Sequence, residues 1–211
     1  LFPVDDSIPM PRAGIAAVSA PLLVLLERLG LVDGMSAQLD RAVDQLTRRR
    51  DELAVGANDA RRLARRIGRT LPLVYGGGAL GEVAAWRWKG QFNENPKVPS
   101  WCNRVPELTH NELAGWAQHG DVTRQVFTML FLRHDHEHPQ VRRRFDFVAG
   151  ACDEVVGDIH QVDARGDGPL AQLMDLVLFG DLVTLHMAVE AGVDPGPIPV
   201  LDDIKASLAR T

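Results

Sequence analysis

The chain has 211 residues, of which 45% are apolar and 24% charged, a balance typical of a globular protein with one domain and an extension. Its formal net charge of −5 argues against a general binder of nucleic acid or of membrane surfaces, and no apolar run reads as long enough to cross a bilayer. Two distant cysteines, Cys102 and Cys152, and the absence of a basic, apolar leader predict a reducing compartment, the cytoplasm, without disulfides.

The first third of the chain predicts an extended, proline-rich start followed by helices. The helical segments are 12–31 with Pro11 in the first turn, 36–53 with Ser36 as N-cap, and 58–67 capped by Asn58 or Asp59. Arginines in the last two helices raise the alternative of a phosphate or nucleic-acid surface. Because aspartates alternate with them, we favour a solvated helix face.

The pattern changes after residue 70. A short apolar strand, 71–75, precedes three glycines and a helix over 79–91, which is the βα unit of a doubly wound fold. Further strands are predicted at 126–133 and 158–162, and further helices at 139–157, 170–192 and 199–210. We therefore predict an α/β domain over residues 70–211, a mostly parallel sheet flanked by helices, after a helical linker over residues 1–69.

The segment from Arg87 to Trp116 concentrates acids, bases and amides among three tryptophans without clear strand or helix periodicity. This composition predicts an anchored loop, either a site for a polar ligand or a solvated loop. Glu94, between Asn93 and Asn95, has the surroundings of a general base, or else of a loop-bracing carboxylate. His110 is predicted in the first turn of a helix capped by Thr109, where a neutral imidazole is a proton shuttle or simply a surface histidine.

Two other motifs are weaker evidence of a functional site. Gly76, Gly77 and Gly78 at the strand–helix junction either present backbone N–H groups to an anion or form a tight turn. His134, His136 and His138 are compatible with a metal site, but their position before Pro139 favours a solvated loop, and we expect no metal and no cofactor.

Three stretches together resemble the bifunctional phosphoglucose/phosphomannose isomerase family, which is built from SIS (sugar isomerase) domains. They read Y-G-G-G from Tyr75, R-W-K-G-Q-F-N-E-N-P-K-V-P from Arg87, and P-E-L-T-H-N-E-L-A-G-W ending at Trp116. Many polar positions agree in order and spacing with the second of the family's two SIS domains. Pro11-Arg12-Ala13 and the C-terminal segment with Lys205 resemble the parts of the family that flank that domain.

The resemblance implies an SIS-type fold, a sugar-phosphate substrate and a homodimer. It implies that Glu94 shuttles the proton between C1 and C2, that His110 opens the sugar ring in the neighbouring subunit's site, and that Arg12 stabilises the enediolate. Lys205 is implied at the ring oxygen or the sugar hydroxyls, and the glycines with Asn93 and Asn95 at the substrate.

Three functions follow as hypotheses. The first is an aldose–ketose isomerase acting on glucose 6-phosphate or mannose 6-phosphate, to which this chain supplies the C-terminal SIS domain. The second is a non-catalytic SIS module that binds a sugar phosphate, and the third is a purely structural dimerisation domain.

Overall fold

The computed structural model describes residues 6–209 as an α/β fold around one four-stranded sheet. The strands are β1 Leu71–Gly77, β2 Trp101–Val105, β3 Phe127–Arg133 and β4 Asp158–Asp163. The helices are α1 Ile15–Arg28, α2 Met35–Leu53, α3 Asp59–Ile67, α4 Gly78–Glu94, α5 Glu112–Gly115, α6 Gly120–Val126, α7 Pro139–Cys152, α8 Pro169–Ala191 and α9 Pro199–Leu208. Short 3₁₀ turns cover Pro11–Gly14 and Glu107–Thr109.

The sheet is parallel throughout, with strand order β2-β1-β3-β4. The chain starts in the middle of the sheet, adds β2 on one side and then crosses back to build β3 and β4 on the other. This order places helices on both faces, which confirms the predicted doubly wound α/β architecture.

Alternation along the central strands divides the core into two layers. Val74 and Leu130 face a layer that also contains side chains of α3, α4 and α8. Leu73 and Tyr75 face the opposite layer, which α7 covers with Phe145 and its neighbours. Both faces of these strands are covered, so consecutive residues are all buried. The strands are therefore continuous apolar runs in the sequence.

α3 belongs to the same core as the sheet, with Leu63, Ala64 and Ile67 buried beside Val74. Asn58 caps this helix, as predicted, by accepting a hydrogen bond from the backbone N–H of Arg61 at 2.9 Å. The division between a linker and an SIS domain at residues 69 and 70 stays a prediction, although α3 packs as a full member of the sheet's core.

Three local predictions were wrong. The segment 87–116 is not one loop, because its first residues extend α4 to Glu94 and its middle forms β2. Ser36 is not the N-cap of α2, since the helix begins at Met35 and the Ser36 hydroxyl bonds Glu27 instead. Arg12 precedes α1 in a 3₁₀ turn, and α1 ends at Arg28.

Among residues 6–209, α8 is the helix that is long and apolar enough to cross a membrane, with 56% of its most apolar window buried. This helix was predicted over residues 170–192, but its apolar stretch was not predicted to reach the length of a membrane span. Its Leu176, Phe179 and Val183 pack in the core, and its buried Asp175 accepts a hydrogen bond from the backbone N–H of Arg165 at 2.9 Å. These contacts make α8 the central core helix of this fold.

Candidate active site

Glu94 is the last residue of α4, and its side chain is 40% exposed. Its carboxylate lies 3.2 Å from Nη1 of Arg12, which donates a hydrogen bond to it. The sequence separation of these residues is 82 positions, so tertiary folding brings them together. The pair places a solvent-accessible carboxylate beside a fixed cation.

Arg12 is held on every side of its guanidinium fork. Its Nε donates to Oδ1 of Asn95 at 3.1 Å, and its Nη2 donates to the carbonyls of Pro195 and, at 3.0 Å, Gly196. The side chain is 11% exposed. A planar guanidinium with this many partners has one orientation, which a lysine would not reproduce.

The backbone of Arg12 is fixed as well. Its carbonyl accepts a hydrogen bond from Nη2 of Arg87 at 2.7 Å, and the same guanidinium pairs with Asp181 on α8 at 2.7 Å. Burial raises the pKa of Asp181 above its ordinary value, with Arg87 acting in the opposite direction. The segment before α1 is therefore tied to the core helix.

The two amides beside Glu94 have different partners. Asn95 is buried, and its Nδ2 donates to Oγ1 of Thr184 at 2.9 Å while its carbonyl oxygen accepts from Arg12. Asn93 donates to the carbonyl of Val98 at 3.0 Å and braces the turn that follows α4. Asn95 is thus part of the ion-pair geometry, whereas Asn93 shapes the backbone.

Lys97 is a residue that the sequence analysis did not single out. It has a positive φ of 60°, and its Nζ donates to the carbonyls of Glu94 at 2.6 Å and Pro195 at 3.4 Å. Its place in the N-E-N-P-K motif was the available signal. We call the group formed by Arg12, Glu94, Asn95, Lys97 and Pro195 the Arg12 cluster.

The glycines lie at the other end of α4 from this cluster. α4 has 17 residues, so about 25 Å separates its two ends at 1.5 Å per residue. A Cβ on Gly76 would meet the carbonyl oxygen of Gly81 at 1.9 Å, and a Cβ on Gly77 would meet Val141 at 2.8 Å. Packing accounts for both glycines, while Gly78 is exposed with a φ of 62°.

His110 is also remote from Glu94. It follows β2 at the carboxyl end of the sheet, whereas Glu94 leads into the amino end of that strand. The ring is exposed, and the residue follows the 3₁₀ turn Glu107–Thr109. The predicted cap was wrong, because the hydroxyl of Thr109 donates to the carbonyl of Pro106 and α5 begins only at Glu112.

Glu112 holds the His110 segment onto the sheet. Its carboxylate accepts hydrogen bonds from the hydroxyl of Tyr75 on β1 and from Nδ2 of Asn103 on β2. Burial, with Glu112 as the second cause, raises the pKa of Tyr75 far above its ordinary value, so the phenol stays protonated and donates.

Lys205 lies on α9, where each described residue is exposed. Within residues 6–209 it has no hydrogen bond or ion pair with the Arg12 cluster. The fold of the single chain therefore joins Arg12 with Glu94 and Asn95, and leaves His110 and Lys205 elsewhere on its surface.

The histidine segment is more buried than predicted. His134 is 5% exposed and its Nε2 contacts the carbonyl of Gly77 at 2.7 Å, beside the buried pair Arg133–Glu137. His136 and His138 are exposed, as expected of a loop. In the part of the chain that the structure describes, no group of three or more His, Cys, Asp or Glu residues is placed to hold a metal ion.

Comparison with known proteins agrees with this fold. Residues 56–208 match the family model described as bacterial phospho-glucose isomerase C-terminal SIS domain. A bifunctional phosphoglucose/phosphomannose isomerase of Caldicellulosiruptor bescii is 32% identical over 95% of this chain and 60% of its own length. One of Aquifex aeolicus is 31% identical over 70% of this chain and 45% of its own length.

Solved structures show the same architecture. The crystal structure of a glucose-6-phosphate isomerase like protein from Thermus thermophilus has a TM-score of 0.70 at 21% identity, covering 93% of this chain and 63% of that chain. The C-terminal domain of glucosamine-fructose-6-phosphate aminotransferase from Francisella tularensis has a TM-score of 0.56 at 14% identity, over 88% and 50%. Their low identity makes these likenesses evidence of fold only. By its family match and its sequence identity, the chain belongs to the family of bacterial phospho-glucose isomerase C-terminal SIS domains.

Proposed function

We propose that this chain is the C-terminal SIS domain of an aldose–ketose isomerase that converts glucose 6-phosphate or mannose 6-phosphate into fructose 6-phosphate. Family membership supports a sugar-phosphate isomerase. The observation that carries the finer assignment is the half-exposed carboxylate of Glu94 beside the largely enclosed guanidinium of Arg12, which is 11% exposed. Because the chain spans 60% of the length of one curated relative and 45% of another, the activity is proposed for the whole protein.

In the proposed reaction Glu94 removes the proton from C2 of the open-chain aldose. The electron pair of that C–H bond moves into the C1–C2 bond, and the carbonyl oxygen at C1 becomes the enediolate oxygen. Arg12 stabilises this charge, since a preorganised cation lowers the energy of a transition state that develops an anion. Glu94 then returns the proton to C1, a hydroxyl proton passes from O2 to O1, and the ketose results.

His110 and Lys205 are proposed to complete the site from other surfaces. His110 would act in the site of a second subunit and open the sugar ring, because its own chain holds it at the opposite end of the sheet from Glu94. Lys205 would reach the sugar from α9. Gly78 is exposed and has open space around it. The glycine segment therefore has room to contact substrate in a site formed by two subunits.

We also propose a cytoplasmic homodimer. Both cysteines are free, as expected of a protein in a reducing compartment. Helices α1 and α9 leave apolar side chains exposed, among them Val18, Leu22 and Ile204, and these are surfaces that an assembled protein would cover.

A second function, sugar-phosphate binding without turnover, is favoured by the state of Arg12. Its guanidinium already donates to Glu94, Asn95 and two carbonyls. A substrate oxygen must displace one of these acceptors before Arg12 can stabilise an enediolate. A module that only binds a sugar phosphate does not require that exchange.

The test is fructose 6-phosphate formation by the full-length protein from each aldose, comparing the unchanged protein with Glu94→Gln. Loss of a general base is expected to lower kcat by about 10²–10⁴-fold. Glu154→Gln, at an exposed carboxylate after α7, is the matched control and should retain activity.

Thermal stabilisation by fructose 6-phosphate separates the two functions. Turnover that Glu94→Gln abolishes supports the isomerase. No turnover, with equal stabilisation of the unchanged and Glu94→Gln proteins, rejects the isomerase and supports the binding module.

A further inference from the structure

A groove of about 550 Å³ runs along the free edge of β4, away from the Arg12 cluster. We call it the edge groove and define it by six of its lining residues, Arg49, Arg62, Arg66, His160, Arg165 and Phe179. It shares no residue with the Arg12 cluster, which lies at the end of α4. Its volume is that of an ordinary small-molecule site.

Four arginines from three separate parts of the chain converge on the edge groove. Arg49 comes from α2, Arg62 and Arg66 come from α3, and Arg165 follows β4. Two carboxylates, Asp59 and Asp163, also line the groove, so its lining has a formal charge of +2 (four arginines less two aspartates) in a chain whose formal charge is −5. Arginine is the side chain best matched to phosphate, because its planar fork donates two parallel hydrogen bonds.

The arginines at the rim are paired with acids through exposed contacts. Arg66 lies 2.9 Å from Asp158, and Arg165 lies 3.2 Å from Glu52. The side chains of Arg62 and Arg66 are 66% and 64% exposed. Exposed pairs of this kind contribute about 0–1 kcal/mol each, so a dianion that offers several oxygens can replace them.

The floor of the edge groove contains polar nitrogens without hydrogen bonds. Arg49 is 5% exposed, with its guanidinium 5.1 Å from the centre of the Phe179 ring. Its Nε lies 3.2 Å from the carboxylate of Asp175 but makes no hydrogen bond. Likewise, Nε2 of His160 lies 3.2 Å from the carboxylate of Asp158 without a hydrogen bond. Both nitrogens are enclosed by protein atoms beside a carboxylate, so Arg49 and His160 form the floor of the edge groove and leave ligand contact to the exposed arginines.

The structure assigns to the edge groove a second anion site, one that binds the phosphate ester of a small metabolite. Arg62, Arg66 and Arg165 contact the phosphate oxygens, above a floor formed by the buried Arg49 and by His160. Leu63, Val162 and Phe179 form the apolar wall for the organic part. The site is independent of the proposed isomerase reaction, since none of its residues belongs to the Arg12 cluster.

Helix α3 supplies a matched pair of variants. Arg62→Ala with Arg66→Ala removes two arginines that line the edge groove. Arg61→Ala with Arg65→Ala removes two arginines of the same helix that pair instead with Glu190 on α8. Both double variants change the net charge equally, lose exposed ion pairs and gain the same helix propensity.

The experiment is calorimetric titration of the full-length protein with inorganic pyrophosphate as the probe. We expect binding by the unchanged protein, a Kd raised about tenfold or more in R62A/R66A, and a change of no more than about twofold in R61A/R65A, because only the first pair removes charge-assisted bonds to phosphate. Arg12→Ala should leave the edge-groove binding in place.

The absence of pyrophosphate binding would overturn the proposal. Equal loss in the two double variants would also overturn it, since the effect would then be one of net charge. Loss in Arg12→Ala with retention in R62A/R66A would assign the anion to the Arg12 cluster instead. If R62A/R66A does not fold, the ¹⁵N resonances of the His160 ring in the unchanged protein decide the question, because pyrophosphate bound in the groove that His160 lines shifts them and unshifted resonances would overturn the proposal.

Discussion

At the residue scale, Gly180 shows how closely α8 approaches α4. A Cβ at this position would lie 2.4 Å from the indole ring of Trp88, which is fully buried and donates from Nε1 to the carbonyl of Leu176 at 2.8 Å. The ring cannot move aside without breaking that bond. The glycine therefore allows the close approach of α4 and α8. Asn95, which follows α4, and Thr184 on α8 are hydrogen-bonded across this contact.

Gly180→Ala is expected to lower the free energy of unfolding by about 1–3 kcal/mol, because overpacking a rigid ring outweighs the gain in helix propensity. Urea unfolding of the two proteins measures the difference. Gly150→Ala on α7 is the control, since a Cβ there meets nothing within 4 Å and the substitution should stabilise the protein by up to about 1 kcal/mol. A stable Gly180→Ala protein would contradict the packing argument.

Cys152 predicts a pH dependence of stability. Burial, followed by the charge of Glu112, raises the pKa of its thiol from an ordinary 9.0 to about 11. Between these values the folded protein keeps a proton that the unfolded chain has lost, so stability falls as the pH rises from 9 to 11.

Cys152→Ala should remove this component, so the difference in unfolding free energy between the two proteins should change across that pH window and stay constant below it. Cys102→Ala, at the other and only partly buried free thiol, should show a smaller change in the same direction, because burial raises the pKa of that thiol too. A difference that does not vary with pH would show that the Cys152 thiol titrates as it does in the unfolded chain.

Some residues of the candidate site could be predicted from the sequence and others could not. Glu94, Asn95 and Arg12 were found from the motif and the resemblance, and the structure brings these three together. Thr184 and Asp181 were missed, because their contacts join segments far apart in sequence and no local pattern encodes them. Lys97 was missed although the N-E-N-P-K motif contains it and its contact with the carbonyl of Glu94 is local.

At the scale of elements, the helices were easier to predict than β2. Apolar spacing and the Asn58 cap indicated α3, and apolar runs indicated β1 and β3. β2 has the sequence Trp-Cys-Asn-Arg-Val at a sheet edge, with only Val105 buried, and its hydrogen bonds to β1 are long-range. An edge strand with this composition carries little apolar signal, so only tertiary pairing reveals it.

The capping of α3 depends on both ends of the Asn58 amide. Its Oδ1 accepts from the N–H of Arg61, and its Nδ2 donates to the carbonyl of Leu53 at 2.7 Å. Asn58→Ala should cost about 0.5–2 kcal/mol of stability, because the cap and a buried partner are both lost. Denaturant unfolding should show a lower midpoint with an unchanged slope, and Asn58→Asp, which keeps the cap acceptor, should recover part of the loss.

At the scale of the whole molecule, the sheet separates the proposed catalytic groups. Glu94 and Arg12 lie beyond the amino ends of the strands, and His110 lies beyond the carboxyl ends. Sequence order gave no indication of this separation, because Glu94 and His110 are close neighbours in the chain. A site that uses both residues must be built from two chains.

Mixing full-length Glu94→Gln and His110→Ala proteins tests that arrangement. Each alone should be inactive, whereas random reassociation into dimers should restore about a quarter of the unchanged activity, since one site in each mixed dimer contains both residues. Mixing each variant with itself is the control. Failure to restore activity, with exchange of subunits verified by mass spectrometry, would place both residues in the site of one chain.

Arg12 also connects the segment ahead of α1 to the end of α4 and to α8. Its carbonyl is bound to Arg87, its guanidinium to Glu94, and Arg87 is anchored to α8 through Asp181. A displacement of residues 9–11 would therefore move the guanidinium that pairs with the carboxylate at the end of α4. The position of the proposed catalytic carboxylate thus depends on a segment that precedes the whole sheet in the chain.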